Sequence, residues 1–279
     1  MGIKLIAFDL DGTLLNDRKE IPRKNREALL AAAEAGVLPV PATGRIMKGM
    51  PEELTALGCC RYFIISNGAV VYDLQKDRVL FRACIAPELG IRLCEYMDRL
   101  PVLYDCYRDG MGYMTADMYA RAPEFFETEP EILKLIGRLR TPVPELKKDI
   151  REKQRPLEKL QMFFRDMDER SRQLDLLPQL FPEVIVSSST KNNVEINSRE
   201  AGKGKGLLQL CGLLDIAPEE TAAFGDGLND SDMLEAAGLG CAMENASPAV
   251  KESADLVIGN NNDGAVGEEI YRLLAGRTD

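Results

Sequence analysis

Residues 3–8 constrain the chain most: apolar apart from Lys4, they form a short run that ends on two carboxylates, Asp9 and Asp11. A strand that is apolar at successive positions has to be buried on both faces, as in a parallel sheet covered by helices. The next segments continue the pattern. Residues 22–35 read as a helix, with Pro22 at its start, an apolar middle and Gly36 closing it. Residues 37–42 read as a second strand, although Pro39 and Pro41 cannot donate to a ladder and fit a central strand poorly. Residues 61–66 read as a third, and Asn67-Gly68 as a turn into a hairpin of 69–73 and 78–81.

The middle of the chain, about 84–189, differs in character. Helical patterns (87–100, 144–154, 168–180) mix with strand candidates (102–107, 157–164, 183–188), and proline and charge are denser. After it, helix and strand alternate again: 203–214, 221–225, 230–237, 240–243, 246–253, 255–258 and 264–274. Alternating elements at both ends predict an α/β fold, a doubly wound parallel-sheet core made of 1–83 and 190–279, interrupted by an inserted α/β domain at 84–189.

Composition narrows the chemistry. The 45% apolar and 29% charged content of the 279 residues is that of a globular enzyme. No apolar run reaches the ~18–20 residues that span a bilayer, and the N-terminal run meets acidic residues too soon for a secretory signal, so the expected location is the cytoplasm. Seven cysteines without a C-x-x-C pair read as reduced core residues. Histidine is absent, which removes the Ser-His-Asp triad, imidazole acid–base chemistry and His-ligated zinc together. A net charge of −10 argues against nucleic acid or an anionic membrane surface as partner. Catalysis then rests on carboxylates, hydroxyls, lysines, thiols or a hard metal.

Asp9 and Asp11, two apart just past a strand, project to one side at the carboxyl end of the sheet, where ligands bind in open α/β folds. Two anions this close repel unless a divalent cation neutralises them, and hard oxygen donors suit Mg²⁺. One carboxylate can then act as nucleophile and the other handle protons; a plain Asp-Gly turn is the competing reading. Asp226 and Asp230, in Gly225-Asp226-Gly227-Leu228-Asn229-Asp230, again follow an apolar strand, and alone they could be no more than a loop and helix cap. Thr43-Gly44-Arg45 could cradle a phosphate with a hydroxyl and N–H groups, or cap a helix. Lys203 could set an ammonium on the same phosphate; its glycine-lysine run lacks the spacing of a P-loop.

In order along the chain, FDLDGT (9–13 and its flanks), ATGR (42–45), SNGA (66–69), KGKGL (203–207) and GDGLND (225–230) resemble the haloacid dehalogenase superfamily of phosphohydrolases, most closely its Cof-like branch. The downstream AMENA (242–246) and the stretch 254–264 are similar to that branch as well. The resemblance covers 1–83 and 190–279 well and the middle only in size and position, as the branch's cap; Pro39 departs from a strand that is usually all apolar. It implies that Asp9 attacks phosphorus and that Asp11 protonates the leaving oxygen and then activates water. It further implies that Thr43, with Gly44, and Lys203 hold phosphate oxygens, and that Asn67 and Asn229 line the phosphate end. Mg²⁺ would be bound by Asp9, the Asp11 carbonyl and Asp226, with Asp230 as ligand or orienter.

The expected activity is hydrolysis of a small phosphorylated metabolite, a sugar phosphate or phosphorylated cofactor. A sugar phosphomutase using the same nucleophile is the alternative, and a non-catalytic binding module a third possibility. Because the core residues meet only phosphate, specificity should lie in the inserted domain, with Tyr107, Arg108, Lys159, Lys191 and Asn193 as candidates.

Overall fold

The computed structural model describes residues 2–126 and 130–276, and the chain divides into two compact units. Unit 1 comprises Met1–Arg45, Met50–Arg82 and Gly202–Asp279; unit 2 comprises Ile46–Gly49 and Ala83–Ala201.

Unit 1 begins with β1 (Leu5–Phe8), α1 (Arg23–Glu34), β2 (Leu38–Pro41) and the short α2 (Glu52–Ala56). All four residues of β1 are buried, as their uninterrupted apolar character requires. The prolines of β2 are accommodated because β2 is the edge of its sheet and pairs there with β1 alone. The amides of Leu38 and Ala42 donate to the carbonyls of Lys4 and Phe8, while Pro39 and Pro41 occupy the alternate positions, where no ladder donor is needed. Next come β3 (Tyr62–Ile65), β4 (Val70–Asp73) and β5 (Arg78–Arg82), a separate antiparallel three-stranded sheet. A single parallel bridge, Ala42 with Ile64, continues past the end of β2 onto β3.

Unit 2 runs through α3 (Pro87–Met97), β6 (Leu103–Arg108), β7 (Met111–Thr115), α4 (Ala116–Phe125), α5 (Pro130–Leu139), β8 (Arg140–Val143), α6 (Leu146–Lys153), β9 (Lys159–Phe163), α7 (Met167–Leu180), β10 (Val184–Ser187) and β11 (Asn193–Ser198). Its six strands form one sheet in the order β10-β11-β9-β6-β7-β8, antiparallel except for the β7–β8 pair. Leu93 and Met97 of α3, Leu146 and Ile150 of α6 and Leu177 of α7 pack on one face with Tyr104, Cys106, Leu160, Met162, Val194 and Ile196. On the other face, Leu103, Met114 and Phe163 pack with Ala122, Phe126 and Ile136.

This sheet moves the second boundary. Residues 190–201, expected in the core, belong to unit 2 because β11 pairs with both β9 and β10. The polar pattern Asn193, Glu195, Asn197 concealed that strand: one of its faces is not apolar, so alternation with Val194 and Ile196 was its only signal. β7, β8, α4 and α5 also lie where no element was expected.

The chain returns to unit 1 with α8 (Lys203–Leu214), β12 (Thr221–Gly225), α9 (Ser231–Ala236), β13 (Leu239–Met243), α10 (Pro248–Glu252), β14 (Leu256–Ile258) and α11 (Ala265–Ala275). The main sheet is parallel throughout, ordered β14-β13-β12-β1-β2. Leu207 and Leu210 of α8, Met233 and Leu234 of α9 and Val250 of α10 pack with Leu5, Ala7, Val40 and Ala42, while α1 and α11 pack together. The central place of β1 matters most for function. Its register with β12 sets Phe8 opposite Phe224, so the residues that leave the two strands emerge side by side.

Candidate active site

Asp9 is the first residue past β1, and its amide donates to the carbonyl of Phe224 at 2.9 Å. Asp226 lies two residues past that carbonyl. Parallel pairing thus closes a separation of more than two hundred residues, and oxygens of Asp9, Asp226 and Asp230 lie within 4.8 Å of one another. Lys203, the first residue of α8, inserts a buried ammonium among them, with Nζ 2.7 Å from Asp9 Oδ1 and 2.5 Å from Asp230 Oδ1.

Two glycines permit this closeness. Gly12 has φ +92°, and a Cβ there would come within 2.4 Å of an Asp226 oxygen. Gly68 has φ +81°, and a Cβ there would reach within 1.9 Å of the carbonyl oxygen of Gly202, next to Lys203. Gly68 follows Ser66 and Asn67, both also left-handed at φ +52° and +56°, which strains the loop and presents Asn67. Asn67 Oδ1 accepts from Asn229 Nδ2 at 3.1 Å, so these two expected residues meet.

Asp230 has both oxygens engaged: Oδ1 by Lys203, and Oδ2 by the amides of Asp226 (3.0 Å) and Gly227 (2.8 Å). Thr13 Oγ1 donates to Asp226 Oδ1 at 2.7 Å. Thr43 is buried just past β2; its amide donates to Ile64 and its hydroxyl accepts from the Arg45 amide at 3.2 Å. Two of the N–H groups expected to form a cradle beside Gly44 are therefore engaged within the loop. No helix starts there either: a short 3₁₀ turn (Met47–Gly49) comes first, and α2 begins only at Glu52.

The Asp11 carboxylate lies outside the three-carboxylate group. Arg45 grips it with two bonds, Nε to Oδ2 at 2.8 Å and Nη2 to Oδ1 at 2.7 Å, and Lys19 Nζ is 2.9 Å from Oδ1. The motif reading included Arg45 without giving it a role, and Lys19 carried no signal, because its side chain reaches Asp11 only through the turn that follows Thr13. Thr13 was legible only as part of DxDGT.

The electrostatics follow from this geometry. Burial pushes Asp9 up to about 8; Lys203 opposes the rise, and Asp230, Asp226 and Asp11 add to it. Burial likewise lifts Asp226 to about 6, against the Thr13 hydrogen bond and the charge of Lys203. Burial pulls Lys203 down, but Asp230 and Asp9 outweigh it and hold the ammonium well above its usual range. Asp11 goes the other way: Arg45 and Lys19 overcome the effect of burial and hold it at about 2. Three carboxylates against one ammonium leave an excess of negative charge, and the donors are all hard oxygens. That set fits a divalent cation such as Mg²⁺.

Residues 6–270 match the family of haloacid dehalogenase-like hydrolases. Among curated proteins, the phosphatase YwpJ of Bacillus subtilis is 30% identical, over 98% of this chain and 100% of its own. The pyridoxal phosphate phosphatase YbhA of Escherichia coli is also 30% identical, over 98% of this chain and 100% of its own. Among solved structures, a haloacid dehalogenase-like hydrolase from B. subtilis superposes with a TM-score of 0.83 at 27% identity, covering 96% of this chain and 99% of that one.

Proposed function

Because the chain belongs to the haloacid dehalogenase-like hydrolases, in their Cof-like branch, and is a phosphoric monoester hydrolase, we propose that it is a Mg²⁺-dependent phosphatase of a small phosphorylated metabolite, with Asp9 as nucleophile. The observation that carries this reading is the Asp9–Lys203–Asp230 contact beside Asp226, at the carboxyl ends of β1 and β12.

A cation held by Asp9, Asp226 and the carbonyl of Asp11 would neutralise charge on the carboxylates and on the phosphoryl group. Asp9 attacks phosphorus, the ester oxygen leaves, and an aspartyl phosphate forms; water then attacks that phosphorus and restores the carboxylate. Lys203 lessens the cost of ionising Asp9 in a buried place and steers one of its oxygens. Asp230 holds Lys203 and the Asp226 loop, and Thr13 fixes Asp226. Thr43, Gly44, Asn67 and Asn229 rim the phosphate end. Asp11, held ionised by Arg45 and Lys19, is set to take the proton of the attacking water. To donate a proton to the leaving oxygen it has to be released from that grip.

A small metabolite is the substrate class supported by relatives such as the pyridoxal phosphate phosphatase. Among the described residues no helix is long and apolar enough to cross a membrane, and all seven cysteines are free thiols. The thiols support the cytoplasm as the location.

The test is phosphate release from p-nitrophenyl phosphate with and without Mg²⁺, in the wild type and in Asp9→Asn. Release that needs Mg²⁺ and is lost in the variant is expected. Equal turnover by the two proteins would overturn the reading, and turnover that needs a sugar bisphosphate activator would favour a mutase.

A further inference from the structure

Tyr107, Arg108, Lys159 and Asn193 are buried and engaged within unit 2: with Gln161, Asp149, Glu195 and the amides of Ser189 and Thr190, respectively. Lys191 is exposed. In unit 1, two stretches past the carboxyl ends of β13 and β14 have no part in the chemistry above, yet both reach the loop that follows Asp11.

Asn245 lies two residues past β13, and Asn261 opens the 3₁₀ turn Asn261–Asp263 past β14. The main sheet is parallel, so both emerge on the side where β1 ends. Asn245 Nδ2 donates to the carbonyl of Gly12 at 2.9 Å, and Asn261 Nδ2 to that of Leu15 at 3.0 Å. Asn25 of α1 donates to the Leu14 carbonyl, also at 2.9 Å. Asparagine suits this task because its amide donates and accepts at once, whereas an ionised aspartate cannot hold a carbonyl. The accepting ends are used as well. Asn25 Oδ1 takes the Gly267 amide at 2.7 Å, and Asn245 Oδ1 takes the Asn261 amide at 3.3 Å, which turns Asn245 Nδ2 toward Gly12.

The three asparagines do different work. Asn25 and Asn261 are buried, and without them the Leu14 and Leu15 carbonyls would lose a partner inside the protein. Asn245 is exposed, so water can take its place at the Gly12 carbonyl with little loss of stability. What water cannot supply is direction. Gly12, at φ +92°, has no Cβ to limit its rotation. The Thr13 amide, on the far side of the same peptide, reaches the Leu10 carbonyl only at 3.4 Å. That peptide carries Thr13, whose Oγ1 donates to Asp226 Oδ1 at 2.7 Å.

We propose that Asn245 is a positioning residue for the metal end of the site: it holds the Gly12–Thr13 peptide so that Thr13 keeps Asp226 in place. The proposal rests on the phosphatase reading for the identity of the cation that Asp226 meets. Asn245 acts through Thr13 and not on the phosphoryl group.

The test is a calorimetric titration of Mg²⁺ into the full-length wild type, Asn245→Ala, Thr13→Val and the double variant. Asn245→Ala is expected to bind Mg²⁺ about fivefold more weakly, as the loss of an outlying partner of a metal ligand does. The double variant is expected to bind no more weakly than Thr13→Val alone, because both changes act through one contact. Losses that multiply would overturn the proposal. So would wild-type affinity in Asn245→Ala, even with a lowered melting temperature, since that pattern belongs to a purely structural bond. The titration needs no turnover, which keeps the two readings apart. A wild type that binds Mg²⁺ but releases no phosphate overturns the phosphatase reading, and the affinities still decide on Asn245. An active wild type whose affinity is indifferent to Asn245 overturns the positioning role alone, and a wild type that binds no Mg²⁺ overturns both.

Discussion

Two of the protein's buried charge clusters are balanced differently. In unit 1, Asp9, Asp226 and Asp230 face a single ammonium, Lys203, and the burial of Asp9 lifts it to about 8. In unit 2, Asp105 and Glu195 face Arg140 and Lys159, one cation to each carboxylate. An unbalanced cluster stores a demand for positive charge, which suits chemistry on a phosphoryl group. A balanced one is electrically quiet and makes no such demand. The same residue types thus create two different electrostatic settings through their stoichiometry.

The severest way to break this contrast is Asp9→Asn. It should lower phosphate release by on the order of 10³-fold or more, measured with p-nitrophenyl phosphate at saturating Mg²⁺; a small loss would mean that the unbalanced cluster is not where the chemistry happens.

Removing one cation from each place comes next. Lys203→Met leaves Asp9 and Asp230 buried without their ammonium, and denaturant unfolding at neutral pH should show a loss of about 3 kcal/mol or more. Replacing Lys159 and Glu195 together by Met and Leu should change stability by no more than about 1 kcal/mol, since a balanced pair is removed whole. Comparable losses in the two variants would erase the distinction.

A subtler test is Thr13→Val, which frees Asp226 Oδ1. Mg²⁺ affinity, read by calorimetry, should weaken by about tenfold. No change would show that Thr13 only packs.

The smallest effect is on the melting temperature. Asp9 at about 8 and Asp226 at about 6 lie above the ordinary 3.8, so between these values the folded protein binds more protons than the unfolded one. Their contribution is complete below about 3.8 and is lost as pH rises through 6 and 8. The Tm of the chelated protein should therefore fall by a few degrees from pH 5 to 8, and Mg²⁺ should flatten the slope. A chelated protein with no slope would show that these carboxylates are not buried against one another.

What could be read from the chain divides along similar lines. The apolar strand that ends at Asp9, the acidic loop after β12 and the alternation of helix and strand are local patterns, and they predicted the parallel core and the residues gathered at its edge. Pro39 and Pro41 illustrate the limit. Locally they argue against a strand, and only the edge position of β2, a property of the whole sheet, makes them harmless. β11 is the reverse case: its polar side read as loop because the face it helps build is itself polar.

By itself, then, the sequence determined the fold class and the acidic motifs, since strand burial and turn chemistry are written in neighbouring residues. The tertiary structure alone decided that Arg45 and Lys19 hold Asp11, that Thr13 fixes Asp226, and that Asp105, Arg140, Lys159 and Glu195 share one face. The partners in each of these contacts come from different turns, loops or strands, so which cation balances which carboxylate is settled by register and packing.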